Sequence, residues 1–415
     1  MNGQVVFLKR REIAAKLDRR PRRGASWERA WDRQAARRGV ALLLAGLLLF
    51  SFGGEARGAE GEKGAGDPVL PKVEADAYIL MSADTGEVFA GKDIHAQLPM
   101  ASTTKIMTGL LAAESGPLDQ LYTVSAEDVN TEGSMLGLKA GDQLTLRDLM
   151  TGMLLKSGND AAACVASVVA GDQFVERMNE KAAQLGMADT HFTNPSGLPD
   201  DAHYSSAYDM AILARAALQN PDFAAICGSS EAAIAVSGTR WHLRNSNRLL
   251  REMEGAVGMK TGFTKKAGRC LVSAATRDGA TLICVTLHCY DDWRVHKDLM
   301  DYGFGTGDRQ PTDPTYVATL DVVGGTAETV SVRVESDLEE LLLKDGSALK
   351  KTVNLPPFLY APVAEGQVVG EILYTAGEGE ALRVEIVASQ GVAAKETPKK
   401  GFWQWLLGLF QKKDR

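Results

Sequence analysis

The hydrophobic periodicity of the chain changes at residue 311, and this change constrains the fold more than any other sequence feature. Upstream, residues 73–310 mix Ala-rich stretches of helical spacing with short strands. Downstream, apolar and polar residues alternate between glycine-marked turns, as in Val330-Ser-Val-Arg-Val334. A period near 3.6 is typical of helices, and a period of 2 is typical of strands. We therefore predict an α+β, three-layer α-β-α domain with an antiparallel sheet over residues 73–310, followed by a small all-β sandwich over residues 311–392.

The first domain is predicted to contain hairpins and apolar helices. Gly, Asn and Asp mark the turns between apolar runs. One hairpin is expected about residues 84–86 and another about Asp278-Gly279. The predicted helices cover residues 102–114, 159–170 and 172–185, and the predicted strands lie near residues 78–81, 88–89, 256–264, 269–276 and 281–288.

The N-terminal region combines a basic segment with a short apolar run. The chain of 415 residues has a formal charge of −7, yet residues 1–38 hold twelve Lys and Arg against four Asp and Glu, so the remainder carries −15. The apolar run over residues 40–52 is too short for a comfortable bilayer span and suits a signal-peptide core. We predict a signal peptide with a long basic leader over residues 1–58 and a linker over residues 59–72. An uncleaved anchor is the alternative, and both interpretations predict export of the downstream domains.

The C-terminal end carries an amphipathic pattern after a polar linker over residues 393–401. In residues 402–415, the side chains that share one face of a 3.6-residue helix are Phe402, Trp405, Leu406, Leu409 and Phe410. Two Trp residues with flanking Lys suit the headgroup region of a bilayer. We predict a helix that lies in the membrane plane and anchors the protein at the outer face of the cytoplasmic membrane. A helix docked on its own protein is the alternative.

Charge, histidine and cysteine usage exclude several classes of function. The acidic body argues against nucleic acid as a partner. Six His residues lack metal-ligand spacing, so neither a metal nor another cofactor is expected. Five Cys residues imply no disulfide framework. Pairing about Asp278-Gly279 sets Cys284 opposite Ser273 rather than Cys270, so we predict five buried or inert thiols.

The motif Ser102-Thr-Thr-Lys105 is the first of three that carry chemistry. Residues i and i+3 face the same side of a helix, so the Lys105 amine is expected to reach the Ser102 hydroxyl. A serine becomes a nucleophile when a base takes its proton, and a lysine is such a base when burial or a nearby cation lowers its pKa. Ser347-Ala-Leu-Lys350 has the same spacing in the β domain without partner motifs, so spacing alone is a weak signal.

Two further motifs come next in order along the chain. Ser157-Gly-Asn159 supplies hydroxyl and amide groups on a turn before a helix. Lys260-Thr-Gly262 lies on a predicted strand, where Gly262 lets a substrate backbone approach and Lys260 and Thr261 suit a carboxylate. Lys260 is also a candidate for the cation that lowers the Lys105 pKa. Isolated, each motif has a structural interpretation as a turn or cap; together, in this order, they indicate a catalytic site.

These motifs and their flanks resemble the penicillin-binding D-alanyl-D-alanine carboxypeptidases, low-molecular-mass serine peptidases that trim peptidoglycan stem peptides. The similarity runs over roughly residues 73–393 and the terminal helix. The segments that carry it are Leu98-Pro-Met-Ala-Ser-Thr-Thr-Lys-Ile-Met-Thr108, Leu154-Leu-Lys-Ser-Gly-Asn-Asp160, Thr190-His-Phe-Thr-Asn-Pro-Ser-Gly-Leu198 and Glu254-Gly-Ala-Val-Gly-Met-Lys-Thr-Gly-Phe-Thr264. Ser196 is a departure, because many members have His at that position.

The resemblance implies a role for each motif. Ser102 would attack the carbonyl between two D-alanines of a stem pentapeptide, with Lys105 as base. Ser157 would relay protons, and Asn159 would hold the substrate amide. Lys260 and Thr261 would hold the terminal carboxylate, and the backbone N–H groups of Ser102 and Phe263 would form the oxyanion hole. β-Lactam antibiotics would acylate the same serine as inhibitors.

Two other functions share parts of this pattern. A serine β-lactamase has Ser-x-x-Lys and Lys-Thr-Gly, but it needs neither a second domain nor a membrane-binding tail. A non-catalytic receptor for β-lactams or peptidoglycan would keep the pocket without turnover, and the complete motif set argues against it. The sequence therefore favours an exported D-Ala-D-Ala carboxypeptidase.

Overall fold

In the computed structural model of the protein, the described residues are 68–336, 338–344, 346–377 and 379–395. The predicted signal peptide and the predicted amphipathic helix lie outside these residues. Within them, no helix combines the length and the apolar character that a bilayer crossing requires.

The described residues form eight α-helices and seventeen strands, numbered in chain order. The helices are α1 (Lys105–Glu114), α2 (Leu146–Lys156), α3 (Asn159–Val169), α4 (Phe174–Gln184), α5 (Ala207–Gln219), α6 (Pro221–Cys227), α7 (Leu249–Glu252) and α8 (Asp292–Thr306). The first nine strands are β1 (Ala77–Ser82), β2 (Val88–Lys92), β3 (Leu121–Thr123), β4 (Gln143–Thr145), β5 (Glu231–Val236), β6 (Thr239–Arg244), β7 (Ala256–Thr264), β8 (Gly268–Arg277) and β9 (Ala280–Leu287). The others are β10 (Asp308–Pro311), β11 (Val317–Val323), β12 (Thr329–Val334), β13 (Glu340–Leu343), β14 (Leu349–Asn354), β15 (Phe358–Tyr360), β16 (Val368–Ala376) and β17 (Gly379–Ala388).

The first domain is built on a five-stranded antiparallel sheet in the order β2-β1-β9-β8-β7. Alternate side chains of β1 enter different cores: Ile79 packs with the helices of one face, and Leu80 packs with α7 and α8 on the other. Every residue of β9 is buried, because helices cover both faces of this central strand. The predicted three-layer fold is thus confirmed.

The hairpin between β8 and β9 turns at Asp278-Gly279, as predicted. Both residues have positive φ, 47° and 84°, as a two-residue hairpin turn of type I′ requires. Ser273 pairs with Cys284 across the ladder, and the five cysteines are free and buried, so the expectation of buried thiols is confirmed.

The second domain is all β, as the alternating pattern predicts. Its six-stranded sheet has the order β14-β16-β17-β12-β11-β15, and its core includes Val330, Val332 and Ile386. Strand β13 pairs with β10 and connects the two domains. Leu341 and Leu343 of β13 enter the β core, whereas Leu342 between them packs with the α8 side of the first domain.

One predicted helix begins differently from the expectation. Residues 101–104 form a 3-10 turn, and α1 begins only at Lys105. The sequence predicted a helix opening at Ser102, which is wrong by one turn. Ala101 has φ +50°, so the chain enters this turn through a left-handed residue. Such tight turns are common at helix starts, and the apolar pattern is insensitive to them.

Candidate functional site

The 3-10 turn holds Ser102 directly before α1, and the three-residue spacing brings Lys105 beneath it. The Lys105 amine lies 3.1 Å from Ser102 Oγ. It also donates to Asn159 Oδ1 at 2.7 Å and to the Ser196 carbonyl oxygen at 2.6 Å. Lys105 is fully buried, so these three oxygens are the polar surroundings of its amine. The predicted contact between Lys105 and Ser102 is present.

Ser157 and Asn159 reach the same place because the chain turns sharply between α2 and α3. Ser157 ends α2 in a left-handed conformation, φ 62° and ψ 27°, and Asn159 begins α3. The Asn159 amide group donates to the Glu132 carbonyl oxygen while its Oδ1 accepts from Lys105. These two partners therefore fix the orientation of the Asn159 side-chain amide.

Lys260 is the second buried amine of the site. It projects from β7, an edge strand, and lies 3.1 Å from Ser157 Oγ and 2.8 Å from the Thr261 carbonyl oxygen. Only 1% of Lys260 is exposed. The structure therefore has two sets of contacts, Lys105 with Ser102 and Asn159, and Lys260 with Ser157, and the two amines are near enough to interact electrostatically.

Gly262 lets β7 lie close against the serine segment. A Cβ at this position would lie 3.0 Å from the Met100 carbonyl oxygen and 3.1 Å from the Ser102 nitrogen, tighter than side chains normally pack. The next residue, Phe263, is 65% exposed and stands at the open strand edge. The edge of β7 beside Ser102 is therefore free to accept an extended backbone.

Burial dominates the electrostatics of both lysines. It lowers the pKa of Lys105 well below its usual range, and the nearby Lys260 charge lowers that pKa further. Burial also lowers the pKa of Lys260, to about 7. A neutral amine next to a serine hydroxyl is able to accept its proton. The two influences suggested by the sequence, desolvation and a second cation, therefore both act on Lys105.

The carbonyl of Ser196 is a contact that sequence reasoning missed. Asn194 builds the turn that presents it, since its Oδ1 accepts the N–H groups of Ser196, Gly197 and Leu198. Gly197 has φ +82°, and a Cβ there would lie 1.9 Å from the Ala101 carbonyl oxygen. The segment Asn194-Pro-Ser-Gly197 therefore packs tightly against the turn that carries Ser102. Its turn-forming residues were the feature of the sequence that could have indicated a sharp turn here.

His203 supports the same turn from behind. Its Nδ1 accepts the N–H of Thr193 at 3.0 Å, so Nε2 carries the proton and donates to Thr104 Oγ1 at 2.8 Å. Thr104 in turn donates to the Ala101 carbonyl oxygen. Burial lowers the pKa of His203 to about 4. A neutral imidazole with a hydrogen bond at each ring nitrogen therefore has a structural role beneath the Ser102 turn.

Asp160 is a second residue whose importance the sequence did not reveal. Its fully buried carboxylate accepts the consecutive N–H groups of Leu136, Gly137 and Leu138, at 2.7–3.0 Å. These residues belong to the loop that also carries Glu132, the partner of Asn159. The motif Ser157-Gly-Asn159 gave no indication of this contact.

Arg294 has no assigned role in the sequence prediction, and its contacts are local. Its guanidinium pairs with Asp291 and Asp298 on and beside α8. Among the described residues, no group of three or more His, Cys, Asp or Glu side chains has the arrangement of a metal site.

A buried lysine paired with a serine hydroxyl at a helix start, on a three-layer α-β-α fold, defines a serine hydrolase. The D-alanyl-D-alanine carboxypeptidase family profile matches residues 63–290, more than half of the chain. The profile of the C-terminal domain of penicillin-binding protein 5 matches residues 313–394. The chain therefore belongs to the D-alanyl-D-alanine carboxypeptidase family, the low-molecular-mass penicillin-binding serine peptidases.

Individual relatives cover both domains. D-alanyl-D-alanine carboxypeptidase DacF of Bacillus subtilis is 32% identical over 389 residues, covering 88% of this chain and 96% of that protein. D-alanyl-D-alanine carboxypeptidase DacC of Escherichia coli is 33% identical over 334 residues, covering 73% and 80%. The crystal structure of penicillin binding protein 5 from Haemophilus influenzae matches with a TM-score of 0.58 and 26% identity, covering 78% of this chain and 99% of that one.

Proposed function

We propose that this protein removes the terminal D-alanine from peptidoglycan stem peptides through an acyl-enzyme on Ser102. The observation that carries the proposal is the contact of a fully buried Lys105 amine with Ser102 Oγ, at 3.1 Å. The family to which the chain belongs supplies the substrate class. The described geometry supplies a reason why Ser102, and no exposed serine, is the nucleophile.

In the first step, Ser102 Oγ attacks the carbonyl carbon between the two D-alanines. Neutral Lys105 accepts the hydroxyl proton as the new C–O bond forms. The N–H groups of Ser102 and Phe263 stabilise the oxyanion that develops. Gly262 supports this arrangement, because it keeps the β7 backbone beside the Ser102 nitrogen.

In the second step, the C–N bond breaks and D-alanine leaves with a proton. Ser157 passes to the departing amine the proton that Lys105 took from Ser102, which leaves Lys105 neutral again, and the Ser157 Oγ contact with Lys260 supports that role. Asn159 holds the amide of the remaining peptide. Water then attacks the ester, loses its proton to Lys105 and releases the shortened peptide, and Ser102 regains its hydrogen.

Lys260 and Thr261 hold the terminal carboxylate of the substrate. A peptide that extends along the open edge of β7 would place its C-terminal carboxylate near the Lys260 amine. A carboxylate in a desolvated site favours the protonated lysine, so substrate binding raises the pKa of Lys260 from its value of about 7 in the free protein. β-Lactams carry a carboxylate next to a strained amide and are expected to acylate Ser102 in the same position.

We further propose that the protein is exported by residues 1–58 and held at the outer face of the cytoplasmic membrane by residues 402–415. The support is the pattern of the sequence: a charge-free apolar core after a basic leader, and an aromatic amphipathic stretch flanked by Lys. This arrangement places the active site on the side of the membrane where peptidoglycan lies.

The test is the release of D-alanine from a diacyl-Lys-D-Ala-D-Ala peptide. We expect release by the wild-type protein and none above background from Ser102→Ala, because Ser102 carries the hydroxyl that contacts the buried Lys105 amine. Ser347→Ala is the matched control, since Ser347 has the same spacing to a lysine, and it is expected to retain full activity.

The alternatives give different outcomes in the same assay. Release lost in Ser347→Ala, or retained in Ser102→Ala, contradicts the assignment of the nucleophile. No release from folded wild-type protein contradicts the carboxypeptidase proposal. Rapid penicillin turnover would then indicate a β-lactamase, and a stable penicillin adduct would indicate a receptor.

A further inference from the structure

The all-β domain presents an exposed aromatic pair at one end of its sheet. Strand β15 is an edge strand and pairs in parallel with β11, so that Val323 is the partner of Tyr360. The rings of Phe358 and Tyr360 meet edge to face, with centroids 5.3 Å apart. Exposed fractions are 71% for Tyr360, 50% for Val323 and 40% for Phe358. We call these three residues the edge patch.

The described chain ends beside the edge patch. Lys395 donates its N–H to the carbonyl oxygen of Gly324, the residue directly after Val323, and Ala394 forms a β-bridge with Gly325. The chain therefore leaves the domain at the same end of the sheet where Val323 and Tyr360 lie. This position is fixed by backbone hydrogen bonds and not by the side chains of the patch.

The distance from the edge patch to the C-terminal amphipathic segment is limited by the chain. Six residues, 396–401, separate Lys395 from Phe402. Seven steps of at most about 3.5 Å lead from the Lys395 Cα to the Phe402 Cα, so this segment reaches about 25 Å. The surface that holds residues 402–415 therefore lies within about 25 Å of Lys395 and close to the edge patch.

We propose that the edge patch rests on the lipid surface that binds residues 402–415, so that the β domain contacts the membrane directly at this edge. The inference rests on the proposed anchoring role of residues 402–415. Tyr and Phe side chains are suited to the boundary between headgroups and acyl chains. Once the tail is bound, contact of the patch is an intramolecular event at high effective concentration, so a small apolar surface is sufficient.

The charges near Lys395, where the chain leaves the β domain, favour binding to an anionic lipid surface. Lys395 is exposed next to Gly324, and residues 396–415 carry four Lys and one Arg against Glu396 and Asp414. Basic residues close to a membrane attract anionic lipid. Asp321, the ladder partner of Phe358, is an exposed acidic neighbour of the patch and would stay at headgroup level.

The first experiment measures binding to vesicles of phosphatidylglycerol and phosphatidylethanolamine by co-sedimentation. The protein is the full chain without residues 1–58, compared with a deletion of residues 398–415, with Tyr360→Ser and with Phe358→Ser/Tyr360→Ser. We expect the deletion to abolish binding and the double variant to weaken it about tenfold, with Tyr360→Ser between. Leu121→Ser is the matched control, because Leu121 is 67% exposed on the first domain, and its binding should equal that of the wild type.

The outcomes separate the two proposals. Equal binding of wild type and deletion, or none by either, contradicts the anchoring role itself. Loss of binding on deletion together with unchanged binding of the Tyr360→Ser and double variants contradicts the edge patch alone. Tighter binding of those variants also contradicts it, because it means that the patch normally captures the tail in solution.

The second experiment tests contact directly. The five native cysteines are buried, so Tyr360→Cys is available for labelling with an environment-sensitive fluorophore, and Leu121→Cys serves as its control. Vesicles should shift the emission of the label at position 360 to the blue and leave that at position 121 unchanged. An unshifted label at 360 on bound protein overturns the proposal. A label that is already blue-shifted in solution and reddens when residues 398–415 are deleted identifies the tail as the occupant and overturns it equally.

Discussion

At the scale of single residues, the proposed site contains two lysines whose amines are buried although burial disfavours a positive charge. Lys105 and Lys260 have almost no exposed surface, and burial lowers the pKa of both. Burial disfavours the charged form of an amine, so each of these lysines loses its proton more readily than a lysine at the surface. For Lys105 this favours the neutral amine, the form that the proposed proton transfer from Ser102 needs.

The proposed role of Lys260 as a carboxylate partner predicts a selective loss of activity. Lys260→Ala should reduce kcat/KM at least about a hundredfold on a peptide that ends in a free carboxylate, because the charge-assisted hydrogen bond is lost. A C-terminally amidated peptide lacks that charge, so the variant should lower its already slow turnover much less. Steady-state kinetics on the two peptides checks this, and an equal loss on both would show that Lys260 does not hold the carboxylate.

The lowered pKa of Lys260 also predicts a pH dependence of stability. The folded pKa is about 7 and the unfolded value is 10.5, so the unfolded chain binds more protons between these values. The free energy of unfolding should therefore rise with pH over this window, by roughly 1 kcal/mol per pH unit from this residue. Below pH 7 the full cost of burying the charge is present.

Urea unfolding between about pH 6 and 10 measures this effect against Lys260→Met. The variant should exceed the wild type in stability most at the acidic end of this range, and its advantage should shrink as the pH rises. Lys350→Met, at an exposed position, is the control and should show no such trend. A difference between Lys260→Met and wild type that stays constant with pH would be inconsistent with a titrating Lys260.

At the scale of elements, the start of α3 connects the proposed active site to the loop over residues 131–138. Asn159 binds two backbone groups of this loop, through its N–H to Ser134 and its amide group to Glu132. Asp160 then accepts three consecutive backbone N–H groups of the same loop. Asn159 and Asp160 therefore bind the same loop. Because Asp160 holds the loop in place, we infer that it positions Asn159.

Asp160→Asn should slow the acylation of Ser102 by penicillin about tenfold or more. The amide has one acceptor oxygen in place of two, so the loop loses part of its attachment and Asn159 loses its fixed orientation. Asp128→Asn is the matched control: Asp128 is also buried and accepts from Tyr122, Ser125 and Ser167 in the same domain. Acylation kinetics and thermal unfolding are measured on both variants.

The control distinguishes positioning from general destabilisation. Both substitutions should lower the unfolding temperature, whereas only Asp160→Asn should slow acylation. Acylation that slows equally in both variants, in proportion to lost stability, would assign Asp160 a purely structural role.

At the scale of the whole molecule, the two domains share strand β13. Leu342 has 1% of its surface exposed and packs with Leu282 and Leu299 of the first domain, while Leu341 and Leu343 pack in the β core. The alternation of a strand thus places successive side chains in two cores. The Lys344 backbone N–H adds a hydrogen bond to the Glu87 carboxylate, beside β2.

Leu342→Ala should therefore destabilise the first domain although the residue belongs to the β domain. Large-to-small core substitutions of this kind cost about 2–5 kcal/mol. The measurement is the temperature at which D-alanine release is irreversibly lost, which Leu342→Ala should lower. Val332→Ala, in the interior of the β core, should lower β-domain stability and leave that temperature unchanged. Equal inactivation temperatures for wild type and Leu342→Ala would show that the domains are independent.

Much of this protein was predictable from the sequence because the signals are local. The helix period of the α1 and α3 regions, the Asp278-Gly279 turn and the alternation in β12 each depend on neighbours a few residues apart. The three-residue spacing of Ser102 and Lys105 fixes their contact on one turn of backbone. The fold class, the free cysteines and the pairing of Ser273 with Cys284 follow from the same kind of pattern.

The tertiary structure decided the contacts that join distant segments. No local pattern states that the Ser196 carbonyl accepts from Lys105, that Asp160 binds the loop over residues 136–138, or that Leu342 enters a different core from its neighbours. The sequence determined which side chains are able to do the chemistry. Only the packing decided how far they are from water and from each other. Those two quantities set the pKa of a lysine, and so they determine whether Lys105 is a surface cation or a base.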